Sequence, residues 1–326
     1  MSLSSKHDVR TDLRLELSVL GVAVSFETNS FEVLELAEAT YGGRSADTTD
    51  RHRVAVRIVV DAGLVDKPVV PPVVHLPAPD RLVLKLGDGH ATADAELGVA
   101  TAHVSTATTV APGFRESVLD HLILFLVTRA DRCPVHAGAI AREDRALVLA
   151  GPSGLGKSSL TYAAMREGFQ VLADDTVYVQ RDPRLRLWSM PRRIHLPAAA
   201  IRHFPELEGT EERVRPDGRS KIPVDIPAAA RADVPWVGHV GLCILSPATV
   251  DQPAEQLSPE AAVAEMRATL QGGFRRFAHS LDDCVRAMVE GGCWRLPVTA
   301  DPRHLLRRIE GLFWSPRATS RAYEPR

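Results

Sequence analysis

Hydrophobic and polar residues alternate along several stretches in the first third of the chain. The alternation runs through Leu13–Leu17 and recurs in Val54–Val60 and Leu82–Leu86. A period of two predicts strands with one buried face. Phe31–Ala39 has the spacing of a short amphipathic helix instead. These patterns predict a small β-rich domain over residues 1–112. It has no catalytic constellation, so we predict a structural role, with oligomerisation or substrate docking as alternatives.

A second domain, residues 113–326, is predicted from a change in this pattern. Phe114–Ala130 has helical spacing and is expected to bridge into it. Two apolar runs, Pro134–Ala141 and Arg145–Ala150, flank a short polar turn and predict a β-hairpin. Phe169–Ala173 is a buried type of strand.

Further along, Ser258–Leu270 and Arg303–Leu312 are predicted helices, and Arg213–Ile222 is a basic loop with a Pro-Asp-Gly turn. The predicted fold class is therefore α/β, with a small β-rich α+β domain before a nucleotide-binding core.

The composition of the chain indicates which broad classes of protein it fits. The 326 residues carry a net charge of −2, with 45% hydrophobic and 25% charged residues. This balance is typical of a globular protein and does not favour nucleic-acid binding. No apolar run approaches the roughly 18 residues of a membrane helix, and no signal-peptide pattern is present. The four cysteines show no metal-ligand spacing. We therefore expect a cytoplasmic protein that binds neither membranes nor nucleic acid.

The strongest motif is Gly151-Pro152-Ser153-Gly154-Leu155-Gly156-Lys157-Ser158, which has the phosphate-binding form GxxxxGK[ST]. A predicted strand precedes it and a predicted helix follows it. Glycines let backbone N–H groups wrap a polyphosphate, the lysine reaches the β- and γ-phosphates, and the serine hydroxyl binds Mg²⁺. The motif predicts an ATP and Mg²⁺ site whose nucleotide contacts are Gly151, Ser153, Gly154, Leu155, Gly156, Lys157, Ser158 and Ser159.

Two adjacent acids, Asp174 and Asp175, end the strand that follows the motif. One carboxylate can hold Mg²⁺ while another accepts the proton of an attacking hydroxyl. An acidic turn without catalytic function is the alternative. His136, on the predicted hairpin, could contact the γ-phosphate or serve as a structural histidine.

Two basic segments are further candidates for phosphate binding. Arg192 and Arg193 form a pair downstream of the acids, and Lys221 lies in the basic loop. Guanidinium groups spread positive charge over phosphoryl oxygens. Surface arginines are the alternative, because 34 of the 39 basic residues are arginine. That imbalance makes Lys157 and Lys221 conspicuous.

His136, the loop in its GPSGxGKS form and the segment Leu172-Ala173-Asp174-Asp175 together resemble the bacterial HPr kinase/phosphorylase family. The close match covers about residues 133–180. The resemblance implies the P-loop core shared with ATP-dependent phosphoenolpyruvate carboxykinase. It also implies roles for five residues. These are phosphate and Mg²⁺ binding by Lys157 and Ser158, the catalytic base at Asp174, assistance or metal binding by Asp175, and contact with the transferred phosphate by His136.

The chain departs from this family at two points. The long family signature downstream of the acids is replaced by Met190–Ile194, and the N-terminal domain does not have a doubly wound pattern. The resemblance therefore does not extend to HPr as substrate or to reverse phosphorylase activity. The shortened relatives that it resembles include kinases of biosynthetic clusters, some acting on a serine of a precursor peptide.

The predicted function is transfer of the γ-phosphoryl group of ATP to a hydroxyl. A serine or threonine of a peptide or small protein is the first candidate acceptor, and a small-molecule alcohol is the second. A nucleotide-binding switch that hydrolyses ATP slowly is the alternative from another class. The multimeric relatives make a homo-oligomer an open prediction.

Overall fold

The computed structural model describes residues 11–42, 52–64, 71–190, 193–214, 218–248, 250, 252–270, 274, 278–298 and 301–314. The chain forms two compact units, Met1–Arg132 and Cys133–Arg326. This division falls later in the chain than the predicted boundary after residue 112.

The first unit is built on one seven-stranded sheet with the strand order β1-β2-β3-β7-β6-β5-β4. Alternating burial along most of these strands follows the alternating sequence, because successive side chains point to opposite faces. In β5, for example, Leu82, Leu84 and Leu86 are buried. The strands are β1 Leu13–Val19, β2 Val22–Thr28, β3 Arg53–Val60, β4 Val73–Ala78, β5 Arg81–Leu86, β6 Gly89–Asp94 and β7 Val99–Val104.

Helices cover this sheet. α1 (Phe31–Tyr41) begins at Ser30, whose hydroxyl accepts a hydrogen bond from Val33 N, and packs on β1 and β2. After the short α2 (Thr106–Thr109), a π-helical turn leads into α3 (Asp120–Arg129). α3 packs on β3, β6 and β7. The predicted helix over 114–130 thus belongs to the first unit, because its apolar face is buried against the first sheet.

The second unit contains the remaining elements. Its helices are α4 Lys157–Arg166, α5 Pro259–Ala268, α6 Ala278–Met288 and α7 Pro302–Ile309. Its strands are β8 Cys133–Val135, β9 Gly138–Arg142, β10 Arg145–Ala150, β11 Gln170–Ala173, β12 Val177–Gln180, β13 Arg186–Trp188, β14 Arg193–Leu196, β15 Arg213–Val214, β16 Ser220–Asp225, β17 His239–Pro247, β18 Glu255–Gln256 and β19 Cys293–Val298.

A six-stranded mixed sheet, ordered β11-β9-β10-β17-β19-β18, forms the centre of this unit. β10, β17 and β19 are parallel, while β9 pairs antiparallel with both β10 and β11. The β9–β10 pairing confirms the predicted hairpin. Two three-stranded sheets, β13-β12-β8 and β14-β16-β15, complete the unit. The molecule is a mixed α/β protein.

The second unit buries all four cysteine thiols, Cys133, Cys243, Cys284 and Cys293, without a disulfide. Burial raises the pKa of the Cys293 thiol to about 12. None of the helices in the described ranges combines the length and the apolar character needed to cross a lipid bilayer.

Candidate functional site

The glycine-rich loop, defined as Gly151–Ser158, joins the buried strand β10 to the first turn of α4. Gly151, Gly154 and Gly156 have φ angles of +132°, +88° and +92°, a region that L side chains rarely adopt. Gly156 precedes the first residue of α4 in a left-handed conformation. The glycines therefore provide the turn that presents the N-terminus of α4, where backbone N–H groups favour anions.

Gly151 has a second constraint. A Cβ atom built there would lie 2.6 Å from the carbonyl oxygen of Leu245 in β17, whereas one on Gly154 would meet nothing within 4 Å. Because the φ strain of an L residue costs roughly 1–2 kcal/mol, we expect about that loss in free energy of unfolding for the control variant Gly154→Ala. Gly151→Ala should lose more, because it adds the clash. Urea denaturation of both variants checks this, and equal losses would contradict it.

Lys157 opens α4, and its side chain folds back over the glycine-rich loop. Its Nζ donates to the carbonyl oxygens of Gly151, at 2.8 Å, and Pro152, at 3.1 Å. The residue is only 7% exposed. Burial lowers the pKa of its ammonium group; Asp175 and Asp174 raise that pKa, and Lys221 lowers it. The ammonium group is thus held inside the loop, within electrostatic reach of both acids.

Asp174 and Asp175 follow β11 and differ in exposure. The Asp174 side chain is 6% exposed, and its Oδ2 accepts a hydrogen bond of 2.9 Å from the backbone N–H of His195 in β14. The His195 ring nitrogen Nδ1 lies 3.9 Å from the same oxygen. The Asp175 side chain is 54% exposed. One carboxylate is therefore fixed and shielded, and the other is open to solvent.

His136 lies in the connection between β8 and β9, so the prediction that places it on the strand paired with β10 is wrong. The connection bends toward β11 because Ala137 N donates to the carbonyl oxygen of Asp175. His136 Nδ1 is 3.0 Å from that carbonyl oxygen and 3.5 Å from Asp175 Oδ1. Its ring centroid lies 5.5 Å from that of Phe274. The histidine therefore lies against Asp175, near both its backbone carbonyl and its carboxylate.

The predicted basic loop over 213–222 contains strand structure instead, because β15 and β16 pair antiparallel with Arg213 opposite Lys221. This pairing brings Arg219 to the glycine-rich loop, where its guanidinium group donates to Ser153 Oγ at 3.2 Å. Lys221 follows two residues later and is half-buried. Arg219 and His195 are contacts that the sequence does not predict as site residues. Arg219 lies immediately before β16 and Lys221 lies within it, so the available signal for Arg219 was its place two residues before Lys221 in the basic segment.

Of the two predicted arginines, the structure describes Arg193, whose side chain pairs with Asp225 and not with the glycine-rich loop. Arg193 donates to Asp225 at 2.6 Å, and this hydrogen bond holds the pKa of Asp225 below its ordinary value. Arg192 lies outside the described residues. Asp225 is thus the carboxylate partner of Arg193.

The assembled site has a clear chemical character. Backbone N–H groups at a helix N-terminus are joined by three side-chain cations, Lys157, Arg219 and Lys221. Against the effect of burial, the carboxylates of Asp175 and Asp174 raise the pKa of the Lys157 ammonium group. Such an arrangement can neutralise a polyphosphate while the acids handle a divalent cation or a proton. Ser158 and Ser159 occupy the first turn of α4, so their hydroxyls belong to the same region.

Comparison with known proteins adds one distant likeness. No family model and no curated protein match the sequence. Among solved structures, the chain is similar to the Hpr(Ser) kinase/phosphatase from Coxiella burnetii, with 12% identity over 55% of this chain and 94% of that chain. The TM-score is 0.29. At this score the likeness supports no inference about activity.

Proposed function

We propose that the protein is an ATP- and Mg²⁺-dependent kinase that transfers the γ-phosphoryl group to a hydroxyl, on a core of the HPr kinase type. One observation carries this proposal. The buried Lys157 ammonium group lies in a glycine-rich loop at a helix N-terminus and interacts electrostatically with both Asp174 and Asp175. Phosphoryl transfer needs cations for the phosphates and acids for the metal and the proton, in one place.

The glycine-rich loop fits a triphosphate. A Cβ at Gly154 or Gly156 would meet nothing within 4 Å, so the space beside the loop backbone is open to a ligand. Apart from Pro152, which has no N–H group, the backbone N–H groups from Gly151 to Ser159 would hold the phosphates, with Ser153 and Leu155 contributing through their backbone. Lys157 would exchange its carbonyl partners for phosphate oxygens, and Arg219 and Lys221 would add charge. Arg193 is bound to Asp225 and takes no part in the proposed site.

Magnesium would be held by the Ser158 hydroxyl and the Asp175 carboxylate. Mg²⁺ usually keeps several water ligands and takes only one or two carboxylates from a protein. The solvent-exposed Asp175 side chain suits such a hydrated ion better than the shielded Asp174. The ion would supply positive charge that offsets the negative charge of the β- and γ-phosphates.

Asp174 would act as the base. Its carboxylate would accept the proton of the acceptor hydroxyl as the new oxygen–phosphorus bond forms. The bond between the γ-phosphorus and the bridging oxygen breaks, and ADP leaves. The backbone N–H of His195 fixes the orientation of this carboxylate. His136 would contact the transferred phosphoryl group and position Asp175. The acceptor would be a serine or threonine of a peptide or small protein.

The proposal is tested by following the terminal phosphate. The protein is incubated with Mg²⁺ and γ-labelled ATP, with and without a peptide library containing one serine or threonine per peptide. We expect the wild-type protein to transfer label to peptides. The Lys157→Ala variant should transfer none. Label released only as inorganic phosphate would support the slow hydrolase instead, and an absence of ATP binding would overturn the proposal.

A further inference from the structure

The strand β4 forms one edge of the seven-stranded sheet in the first unit, and no strand among the described residues pairs with its outer side. Its surface is apolar: Val73, Val74 and Leu76 are 53%, 42% and 41% exposed. Natural proteins usually protect such an edge with charged residues or proline, because its backbone groups can pair with another strand. β4 contains one proline and no lysine, arginine, aspartate or glutamate.

The tight turn between β5 and β6 determines which backbone groups of β4 face outward. Leu86 and Gly89 lie opposite each other across the two residues of this turn, so they form a hydrogen-bonded pair. Hydrogen-bonded pairs alternate along a ladder, so Val83 directs its backbone groups toward β4 instead, where it pairs with His75. The residues on either side of His75 therefore direct their N–H and C=O groups away from the sheet.

These outward groups suit a second copy of the same strand. In an antiparallel pair centred on His75, Val74 of each copy lies opposite Leu76 of the other, because a twofold axis repeats every contact. Each such pair joins outward backbone groups and places two exposed aliphatic side chains on one face of the sheet. Pro77 would lie opposite Val73, a pair that needs no N–H group from the proline, because Val73 directs its own toward β5.

The two ends of β4 also differ in charge, and this difference favours the same arrangement. Beside the start of the strand, on β5, lies the exposed Lys85. Past its other end lie three acids, Asp80, Asp94 and Glu96, whose carboxylate oxygens are within 4.8 Å of one another. Arg81 pairs with Asp94, so the acids outnumber the cations there. Antiparallel pairing places the basic end of one copy beside the acidic end of the other.

We propose that β4 pairs antiparallel with β4 of a second copy of this chain, about a twofold axis at His75. The two seven-stranded sheets then become one continuous sheet. This inference concerns the first unit and does not depend on the proposed function. A pairing through one six-residue strand is smaller than the interfaces of stable complexes, which bury about 1,200–2,000 Å². The dimer should therefore dissociate on dilution.

Sedimentation velocity of the full chain over a range of concentrations tests the association. The wild type should approach twice the mass of one chain as its concentration rises. Val74→Lys should weaken association by about tenfold or more, because a lysine on an edge opposes strand pairing. The matched control is Val99→Lys, at a valine that is 39% exposed on β7, inside the sheet. It should associate like the wild type, and thermal melting shows whether each variant is folded.

Cysteine cross-linking tests the register. In the proposed pair the two copies of residue 75 are opposite each other outside the hydrogen-bonded pairs, with Cα atoms about 4.5 Å apart, which a disulfide can span. The two copies of residue 73 are offset by four residues, or about 14 Å. His75→Cys should therefore form a covalent dimer on mild oxidation and Val73→Cys should not, as read from non-reducing electrophoresis. The four native cysteines are buried and should not react.

Three results would overturn the inference: a wild-type protein that stays monomeric at every concentration, association that is unaffected by Val74→Lys, or cross-linking of Val73→Cys in place of His75→Cys. None of them would bear on phosphoryl transfer, so the proposed function would stand or fall separately.

Discussion

Replacing Asp174 with asparagine should reduce phosphoryl transfer by about 10²–10⁴-fold, the usual contribution of a positioned base, while Mg·ATP still binds. Asparagine keeps the shape of the side chain and an oxygen that can accept from His195 N. The fold around β14 should therefore survive. The amide has no basic oxygen to take the proton of the acceptor hydroxyl, so the chemical step is lost. Initial rates at saturating Mg·ATP, together with calorimetric affinities, measure the two effects separately.

Two companion variants sharpen this prediction. Asp175→Asn should raise the Mg²⁺ concentration needed for half-maximal transfer, because we propose that its exposed carboxylate binds the metal. Asp283→Asn removes an exposed carboxylate that pairs with Arg181 and Arg286 and should leave transfer unchanged. Normal transfer by Asp174→Asn would remove this residue from the role of base, and a larger loss with Asp175→Asn would assign that role to its neighbour.

Lys157→Ala should lose both binding and transfer. A hydrogen bond to a charged group contributes about 1.5–3 kcal/mol, which corresponds to roughly 10- to 150-fold in affinity. We therefore expect weaker binding of ATP and of tripolyphosphate by that factor. Transfer should decrease further, because the same ammonium group would neutralise charge that develops on the γ-phosphoryl oxygens.

The control for this variant is Lys85→Ala, which removes an exposed lysine of β5 in the first unit. It should bind ATP like the wild type. Lys157 also donates to two loop carbonyls, so thermal melting of Lys157→Ala is needed to separate loss of a ligand contact from loss of the loop. A folded Lys157→Ala protein with wild-type affinity for tripolyphosphate would contradict the proposed phosphate site.

The strands that the sequence predicts in the first unit, β1, β3 and β5, have strong hydrophobic contrast. β1, β3 and β5 alternate leucine or valine with polar residues, and one-sided burial produces that pattern. β6 and β7 alternate alanine with threonine and histidine instead. Alanine is small and only weakly hydrophobic, so the same one-sided burial leaves little contrast in the sequence.

In the candidate site, too, some features follow from neighbouring residues in the sequence, whereas others depend on contacts between distant segments. The order of strand, loop, helix and acidic strand end is local, and the structure contains it. The contact of Arg219 follows the local pairing of β15 with β16, whereas His195 lies on β14, whose pairing with β16 joins residues 26 to 32 positions apart. No local pattern encodes that pairing. The chain contains 34 arginines, so the presence of an arginine at position 219 does not by itself set that residue apart from the others.

The position of α3 determines where the polypeptide can be divided. Its buried residues Leu122, Ile123 and Leu126 belong with the first sheet. A fragment that starts at residue 113 would carry these side chains without the sheet that covers them, and the resulting apolar stripe would promote self-association. A fragment that starts at residue 133 would leave the helix with its own sheet and begin directly at β8.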